Sequence, residues 1–303
     1  MAQKKNTKKT GASRPEKKPA PAPAKAAKAK PDEKKPAQGV TPSRPAPEQP
    51  ETRTERPAMP TLLFYQKPVV LNRDAHRTLK LRSTPTFAYA AATNSVPLTG
   101  AEFAASARHF PILFVNDANN QPSPIALLGL RRDENLFVDD KGNWAGSYIP
   151  AFIRRYPFVL IEKPGEQDLT VGIDEAFAGF NATEGEAIFD SEGKDTPALQ
   201  RAITFLNAYQ ADAKRTADFV AELVRLDLLV PQAINVQQKD GHKFKLDGFS
   251  IVDEARLGAL GDSDAGNLVR NGFMGWIYMH LLSVNNVTEL SSRLDPRVER
   301  KTA

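Results

Sequence analysis

Apolar residues up to about residue 175 come in short runs rather than at helical spacing. The runs are 63–65, 69–71, 79–81, 87–92, 110–115, 125–130, 135–138 and 169–174. Most are rich in β-branched or aromatic residues and are bounded by Asn, Asp, Gly or Pro, a pattern typical of strands joined by turns. We therefore predict extended, mostly antiparallel chain in this part, with 79–81 as an edge strand.

The densest apolar run is 148–161, and it predicts two elements in succession. Pro150 suits the first turn of a short helix, because its missing N–H costs nothing there. Phe152 and Ile153 would then share a helical face with Ile149. The residue before Pro157 is pushed to extended geometry, so the helix ends and a strand follows from Phe158.

A second helix start precedes this run. Thr99 is followed three positions later by Glu102, a capping box that predicts a helix over 100–109. The glycine- and acid-rich stretch 177–194 predicts a long surface loop.

From residue 196 the apolar spacing becomes helical. Thr196-Pro197 is a cap followed by proline at the first helical position, and the spacing predicts one or two helices over 197–228, ended by Pro231. A hairpin follows over 233–246 with Asp240-Gly241 at its turn. Asp253 is the predicted cap of a short helix, and helices over 265–284 and 287–294 close the chain.

The pattern as a whole predicts an α+β fold. We expect a mostly antiparallel, strand-rich first half and a helix-rich second half.

Composition divides the chain into two parts. Residues 1–56 are Lys-, Ala- and Pro-rich and hold 15 Lys/Arg against 6 Asp/Glu, a net charge of +9. The remainder has 26 basic and 30 acidic residues, a net charge of −4. We predict a disordered basic N-terminal tail over 1–56 and a single α+β domain over 57–303. The tail is either a solubilising segment or a source of weak contact with anionic surfaces.

Several kinds of site are excluded or unsupported by the residues. The chain has no cysteine, and none of its four histidines is at a metal-ligand spacing from another. No dinucleotide or phosphate-loop motif occurs. We therefore predict no metal site and no cofactor.

The sequence also bears on location. The most apolar later segment, 272–284, is 13 residues long, against the roughly 20 that a membrane helix needs. The N-terminus has positive charge without an apolar run after it. We therefore predict no membrane span and a cytoplasmic protein.

The adjacent pair Arg154 and Arg155 is the first candidate ligand site. A guanidinium can bind a carboxylate or phosphate with two hydrogen bonds. Neighbouring helical positions lie about 100° apart, so at most one of the two should face a pocket. The competing interpretation is structural: the same arginine pairs with an acidic residue at the core's edge, namely Glu162, Asp174 or Asp253.

The other candidates are histidines and aromatic residues. His76 could take part in a site, and His280 could act as a general base with Asp253 or Glu254, or could be a satisfied core residue. Trp144 and Tyr148 could line a pocket with Phe152 and Tyr156, or could fill the core. Asp139-Asp140 favours ordinary turn chemistry over a cation site. The catalytic residues, if there are any, are unknown.

Taken in order, motifs along 62–291 resemble the SapC family of bacterial proteins. The matching pieces include Tyr65…Pro68-Val69…Leu71-Asn72…His76…Leu79, Pro97-Leu98…Glu102-Phe103, Phe110-Pro111-Ile112…Phe114, Ala126-Leu127-Leu128-Gly129-Leu130, Asn135-Leu136-Phe137-Val138…Trp144, Tyr148 to Phe158, Asp247-Gly248-Phe249…Asp253-Glu254 and Ile277-Tyr278…His280-Leu281-Leu282-Ser283.

The resemblance implies a connection with bacterial surface layers or nutrient uptake, and hence a cell-surface location as the alternative to the cytoplasm. It assigns no catalytic residue. We expect a binding or accessory protein whose partner is an unknown protein or small molecule. The alternative is an enzyme with a His/carboxylate or Arg-lined pocket that acts on a small anionic substrate.

Overall fold

The structure, a computed structural model, describes residues 62–83, 86–117, 119–162, 169–237 and 243–301. Three predictions lie outside these residues: the disorder of 1–56, the boundary of the tail, and the turn at Asp240-Gly241.

The described strands form three sheets, and all their ladders are antiparallel. The strands are β1 (Pro68–Val70), β2 (Lys80–Leu81), β3 (Ser95–Pro97), β4 (Ile112–Asn116), β5 (Pro122–Leu127), β6 (Phe158–Glu162), β7 (Leu169–Asp174), β8 (Phe180–Asn181), β9 (Glu186–Ala187), β10 (Leu229–Gln237) and β11 (Lys243–Val252). Their order is β10-β11-β4-β5-β3 in the largest sheet, β1-β7-β6 in the second and β8-β2-β9 in the third.

Helices dominate the second half. They are α1 (Phe103–Ser106), α2 (Ala151–Arg154), α3 (Pro197–Arg225), α4 (Glu254–Gly258), α5 (Asp262–Arg270), α6 (Phe273–Ser283) and α7 (Val287–Lys301), with 3-10 turns at Ala88–Ala90, Gly100–Glu102 and Val284–Asn286. The α+β fold class is therefore confirmed. The two longest strands, β10 and β11, come from the second half and complete the five-stranded sheet.

The main core brings this sheet together with α3 and α6. Its largest fully buried side chains are aromatic: Phe103, Phe110, Phe114, Phe137, Phe152 and Phe219. A smaller core joins β6 and β7 to the start of α3, through Phe158, Ile173, Ile188, Phe189, Leu199 and Leu206.

Local signals at helix starts are confirmed. Both bonds of the capping box between Thr99 and Glu102 are present, although the helix that they open is a 3-10 turn followed by the short α1. Asp253 accepts the N–H groups of Ala255 and Arg256 at the start of α4. Pro197 is the first residue of α3, which is one continuous helix.

Three strand predictions are wrong. Leu63 and Phe64 lie in a turn closed by the Tyr65 amide on the Leu62 carbonyl, and the chain over 87–92 contains a 3-10 turn. Residues 135–138 form only an isolated bridge, from Val138 to Trp144.

Four further expectations differ from the structure, three of them because strands pair there. β2 is not an edge strand, since β8 and β9 flank it. These two strands come from 177–194, the predicted surface loop, which also buries Ile188 and Phe189. Pro231 lies inside β10, an edge strand, where a missing N–H can face away from the ladder. Pro150 precedes α2 as its N-cap instead of lying in its first turn.

Candidate binding groove and the residues around it

His280, on α6, is fully buried and takes the place of a sheet hydrogen bond. Its Nδ1 lies 2.8 Å from the carbonyl oxygen of Ile112, and its Nε2 lies 3.1 Å from the amide nitrogen of Val252. An amide N–H can only donate, so Nε2 accepts and the proton is on Nδ1.

The register of β11 against β4 explains why a histidine side chain is needed here. β11 and β4 pair only at Ser250 with Phe114, and Val252 and Ile112 would be the next hydrogen-bonded pair of this antiparallel ladder. The strands separate there, and the imidazole bridges the two backbone groups. The amide of Ile112 in turn donates to the hydroxyl of Ser283, 2.9 Å away.

Burial lowers the pKa of His280 to about 4, partly offset by its bond to the Ile112 carbonyl. The ring is therefore neutral at physiological pH, with both nitrogens in use. Asp253, one of its predicted partners, caps α4 instead.

Glu102 is the second buried polar centre, and it links α1 to α2. One carboxylate oxygen accepts from the amide and hydroxyl of Thr99, and the other accepts from the Tyr148 hydroxyl at 2.8 Å and the Ala151 amide at 2.6 Å. Since Ala151 opens α2, the carboxylate holds the two helix starts against each other.

Trp144 and Tyr148 therefore have packing contacts. The indole N–H of Trp144 donates to the Tyr148 carbonyl, and its ring stacks on Phe137 with centres 5.6 Å apart. Burial, followed by the charge of Glu102, raises the pKa of the Tyr148 hydroxyl.

The two arginines differ in exposure, as positions about 100° apart on a helix should. Arg155 is only 5% exposed, with its guanidinium carbon 4.1 Å from the centre of the Phe152 ring and 5.1 Å from that of Tyr209. Arg154 is exposed, and its guanidinium carbon lies 5.1 Å from the Phe205 ring centre. Phe205 and Tyr209 are one turn apart on α3, so the two arginines together join α2 to α3.

Two of the proposed acidic partners are engaged elsewhere. Asp174 is fully buried and accepts from the amides of Gln66, Lys67 and Ala176 and from the Tyr156 hydroxyl. Asp253 caps α4.

His76 lies far along the chain from the other candidates, in the turn after β1. Its Nδ1 accepts from the Asn72 amide at 2.9 Å, and its Nε2 is 3.1 Å from a carboxylate oxygen of Glu175. Lys67 binds the other oxygen of this carboxylate at 2.6 Å. These contacts, that of Lys67 foremost, lower the pKa of Glu175.

Asp139 has the contacts of a turn residue. One of its oxygens accepts from the amides of Lys141 and Asn143, and these bonds, Asn143's first, lower the pKa of the carboxyl. The described residues contain no cluster of three or more His, Asp or Glu side chains that could hold a metal ion.

One of the open sites among the described residues is a groove between α3 and the edge of the five-stranded sheet, with a volume of about 510 Å³. From the helix it is lined by Tyr209, Ala213, Thr216, Ala217, Val220, Ala221 and Val224, and from the sheet side by Pro97, Leu98, Thr99, Asp117, Gln121, Pro122, Ser123 and Pro124. At 1.5 Å per residue, the helical wall from Tyr209 to Val224 is roughly 22 Å long.

A close contact between α3 and the capping-box turn lies beside the groove, which Thr99 and Thr216 line. The Gly100 amide donates to the Thr216 hydroxyl at 2.8 Å, which ties the capping box to α3. A Cβ at Gly100 would lie 2.2 Å from the Trp276 ring, so only glycine fits here.

The lining is mainly apolar, and polar side chains gather on the sheet side. Asp117, Gln121 and Ser123 lie at or beside the β4–β5 turn. Asp117 is the one charged residue among the described lining residues. Its carboxylate also accepts from the amides of Asn119 and Gln121.

None of the six candidates named from the sequence is among the described lining residues of this groove. Sequence reasoning missed the groove because Ala213, Ala217 and Ala221 look like ordinary helix formers. Their spacing of four places them on one face of α3, and their small side chains leave space beside the larger Val220 and Val224. This alanine spacing is the feature of the sequence that could have indicated a groove along α3.

Among the described residues, no helix is both long enough and apolar enough to cross a bilayer. Searches of curated proteins and of solved structures found no match. The SapC family model matches residues 71–290. With most of the chain covered, from the residue after β1 into α7, this protein belongs to the SapC family.

Proposed function

We propose that the protein is a binding or accessory protein whose ligand lies in the groove along α3. The carrying observation is the groove itself, because its volume is in the range of small-molecule sites and its lining is mainly apolar. The predicted acid–base residue His280, by contrast, has both ring nitrogens bonded inside the core.

The lining indicates the kind of ligand. An elongated apolar molecule fits a groove with an apolar helical wall, and polar groups at one side orient it. Asp117 is acidic and the described lining has no Lys or Arg. The ligand is therefore neutral or positively charged where it meets the β4–β5 turn.

The setting is the second part of the proposal. The family resemblance supports a role in a surface-layer or nutrient-uptake system. We propose the cytoplasm as the location, with the cell surface as the alternative that the surface-layer connection supplies.

The experiment uses the neutral apolar dye N-phenylnaphthylamine, whose fluorescence rises in apolar sites. Ala217→Phe places a ring in the groove, while Ala211→Phe adds the same ring to an exposed position of α3 outside the described lining. We expect dye binding to be lost with Ala217→Phe and kept with Ala211→Phe, at equal thermal stability. Equal binding by both variants would show that the groove is not the site.

The enzyme alternative rests on one contact, between His76 Nε2 and Glu175 at 3.1 Å, beside Lys67. A small anionic substrate could bind at Lys67, and displacement of the Asn72 amide from Nδ1 would let the His76 imidazole take a proton from an attacking water. For a panel of small anionic esters and phosphates, hydrolysis by the wild type that His76→Gln abolishes would support this alternative. No turnover by the wild type would leave binding as the function.

A further inference from the structure

Helix α6 is apolar around its whole circumference, although only one of its faces is buried. It carries no Lys, Arg, Asp or Glu, and its inner face places Phe273, Ile277 and His280 in the core. A surface helix ordinarily has a polar outer face, and a helix that is hydrophobic all round is ordinarily buried. The outer face of α6 thus lacks the charged residues that a helix exposed to water ordinarily carries there.

The outer face consists of Gly275, Tyr278 and Leu282, spaced three and four positions apart. Tyr278 is 55% exposed and Leu282 is 62% exposed. A Cβ added to Gly275 would meet nothing within 4 Å, so the space above this face is open. A tyrosine beside a leucine is the composition found where proteins meet the headgroup region of a bilayer.

The distribution of charge along the chain indicates what covers the outer face of α6. Residues 1–56 have a net charge of +9, whereas residues 57–303 have a net charge of −4. Residues 57–303 would be repelled by an anionic membrane, and the basic segment 1–56 would be attracted to it. An apolar contact or a basic segment alone gives weak attachment, while the two together give stable attachment.

We propose that the outer face of α6 docks on the surface of an anionic lipid bilayer, with Tyr278 and Leu282 at headgroup level and the basic segment 1–56 supplying the charge attraction. The contact is peripheral. It is independent of the groove, which lies on α3, so this proposal stands or falls separately from the ligand-binding proposal.

The test is co-sedimentation of the full chain with vesicles of phosphatidylglycerol and phosphatidylcholine in equal parts, and with vesicles of phosphatidylcholine alone. We expect the wild type to pellet with the anionic vesicles and to remain in solution with the neutral ones. Tyr278→Ser with Leu282→Ser should lower the vesicle partition coefficient by about tenfold or more, because two apolar contacts are removed. Replacing Lys4, Lys5, Lys8 and Lys9 by Gln should lower it as well, and most at low salt.

Leu63→Ser is the matched control, since this leucine is also exposed, at 54%, and lies outside α6. It should pellet as the wild type does. Leu282→Trp should pellet more strongly and should show a blue shift of tryptophan emission with anionic vesicles, which tests the same face without removing apolar surface.

Three results would overturn the proposal. The wild type could fail to pellet with anionic vesicles, or the double serine variant could pellet as well as the wild type. Light scattering could instead show a dimer that the double serine variant converts to a monomer, in which case a second copy of the chain covers this face.

Discussion

The junction of β4, β11 and α6 is closed and built around polar side chains, whereas the groove along α3 is open and lined mainly by small apolar ones. At the junction, a histidine and a serine from one helix satisfy backbone groups of two strands, and the exposed fraction of both side chains is zero. In the groove, alanines and valines leave apolar surface open. The comparison teaches that the residues with the most evident chemistry are employed in packing, while the opening is lined by residues without a motif.

The largest effect on stability is expected from a substitution at the junction of β4, β11 and α6. His280→Ala leaves the Ile112 carbonyl and the Val252 amide without their imidazole partner and creates a cavity. We expect a loss of roughly 3–5 kcal/mol in the free energy of unfolding, measured by urea denaturation. His76→Ala, in the turn after β1 where the side chain is 10% exposed, should cost less, roughly 1–2 kcal/mol. Similar losses for the two variants would contradict the role given to His280.

The second effect is a pH dependence of the same junction. The pKa of His280 is lowered to about 4 in the folded protein, against about 6.5 for an unperturbed histidine. The unfolded chain therefore binds an additional proton between these values. The stabilisation is complete above pH 6.5 or so and is lost as the pH falls through about 4, by up to about 3 kcal/mol.

Carboxyl groups also titrate in this pH range. The contribution of His280 is therefore measured as the difference in stability between the wild type and a variant without this histidine. Urea unfolding of the wild type and of His280→Gln is compared at a series of pH values from acid to neutral. The wild type should lose stability more steeply in the acid range. Parallel curves would show that His280 does not titrate with a lowered pKa.

The smallest effect on stability is expected at Arg154 and Arg155, which join α2 to α3. Arg155→Lys removes a planar guanidinium from between the Phe152 and Tyr209 rings, and we expect a loss of roughly 1–2 kcal/mol in unfolding free energy. Arg154→Lys, at an exposed position, should change stability by less than about 0.5 kcal/mol.

Ligand binding by the same two variants tests the original hypothesis of an arginine anchor. Dye binding in the groove should be unchanged by Arg154→Lys. If either variant weakened the binding of a small carboxylate or phosphate without changing stability, that arginine would be a ligand anchor after all.

Sequence patterns predicted those parts of the fold that depend on local chemistry. The capping box at Thr99 and Glu102, the cap at Asp253 and the proline start of α3 are decided within a few residues. The α+β class followed from the change in apolar spacing near residue 196.

The failures have a common physical cause in contacts distant along the chain. Ile188 and Phe189 are buried because β2 draws the acid-rich stretch around them into a sheet. The capping residue Glu102 was predicted, but its bonds to Tyr148 and Ala151 span more than forty positions. Local composition does not contain this information.

The same holds for the candidate site. Thr216 of α3 lines the groove and binds the Gly100 amide, and Gly100 lets the Trp276 ring approach. The bond from Gly100 to Thr216 spans 116 positions of the chain, so no single segment of the sequence predicts the groove.

The single ladder pair between β11 and β4 has a consequence for how the molecule assembles. The bond from Ile112 to His280 joins residues 168 positions apart, so the middle of the largest sheet is completed only when a helix near the end of the chain arrives. Contacts of such separation form late and slowly. Exchange of the Val252 amide hydrogen with solvent should then report the docking of α6, and its protection should appear together with that of the α6 amides during refolding.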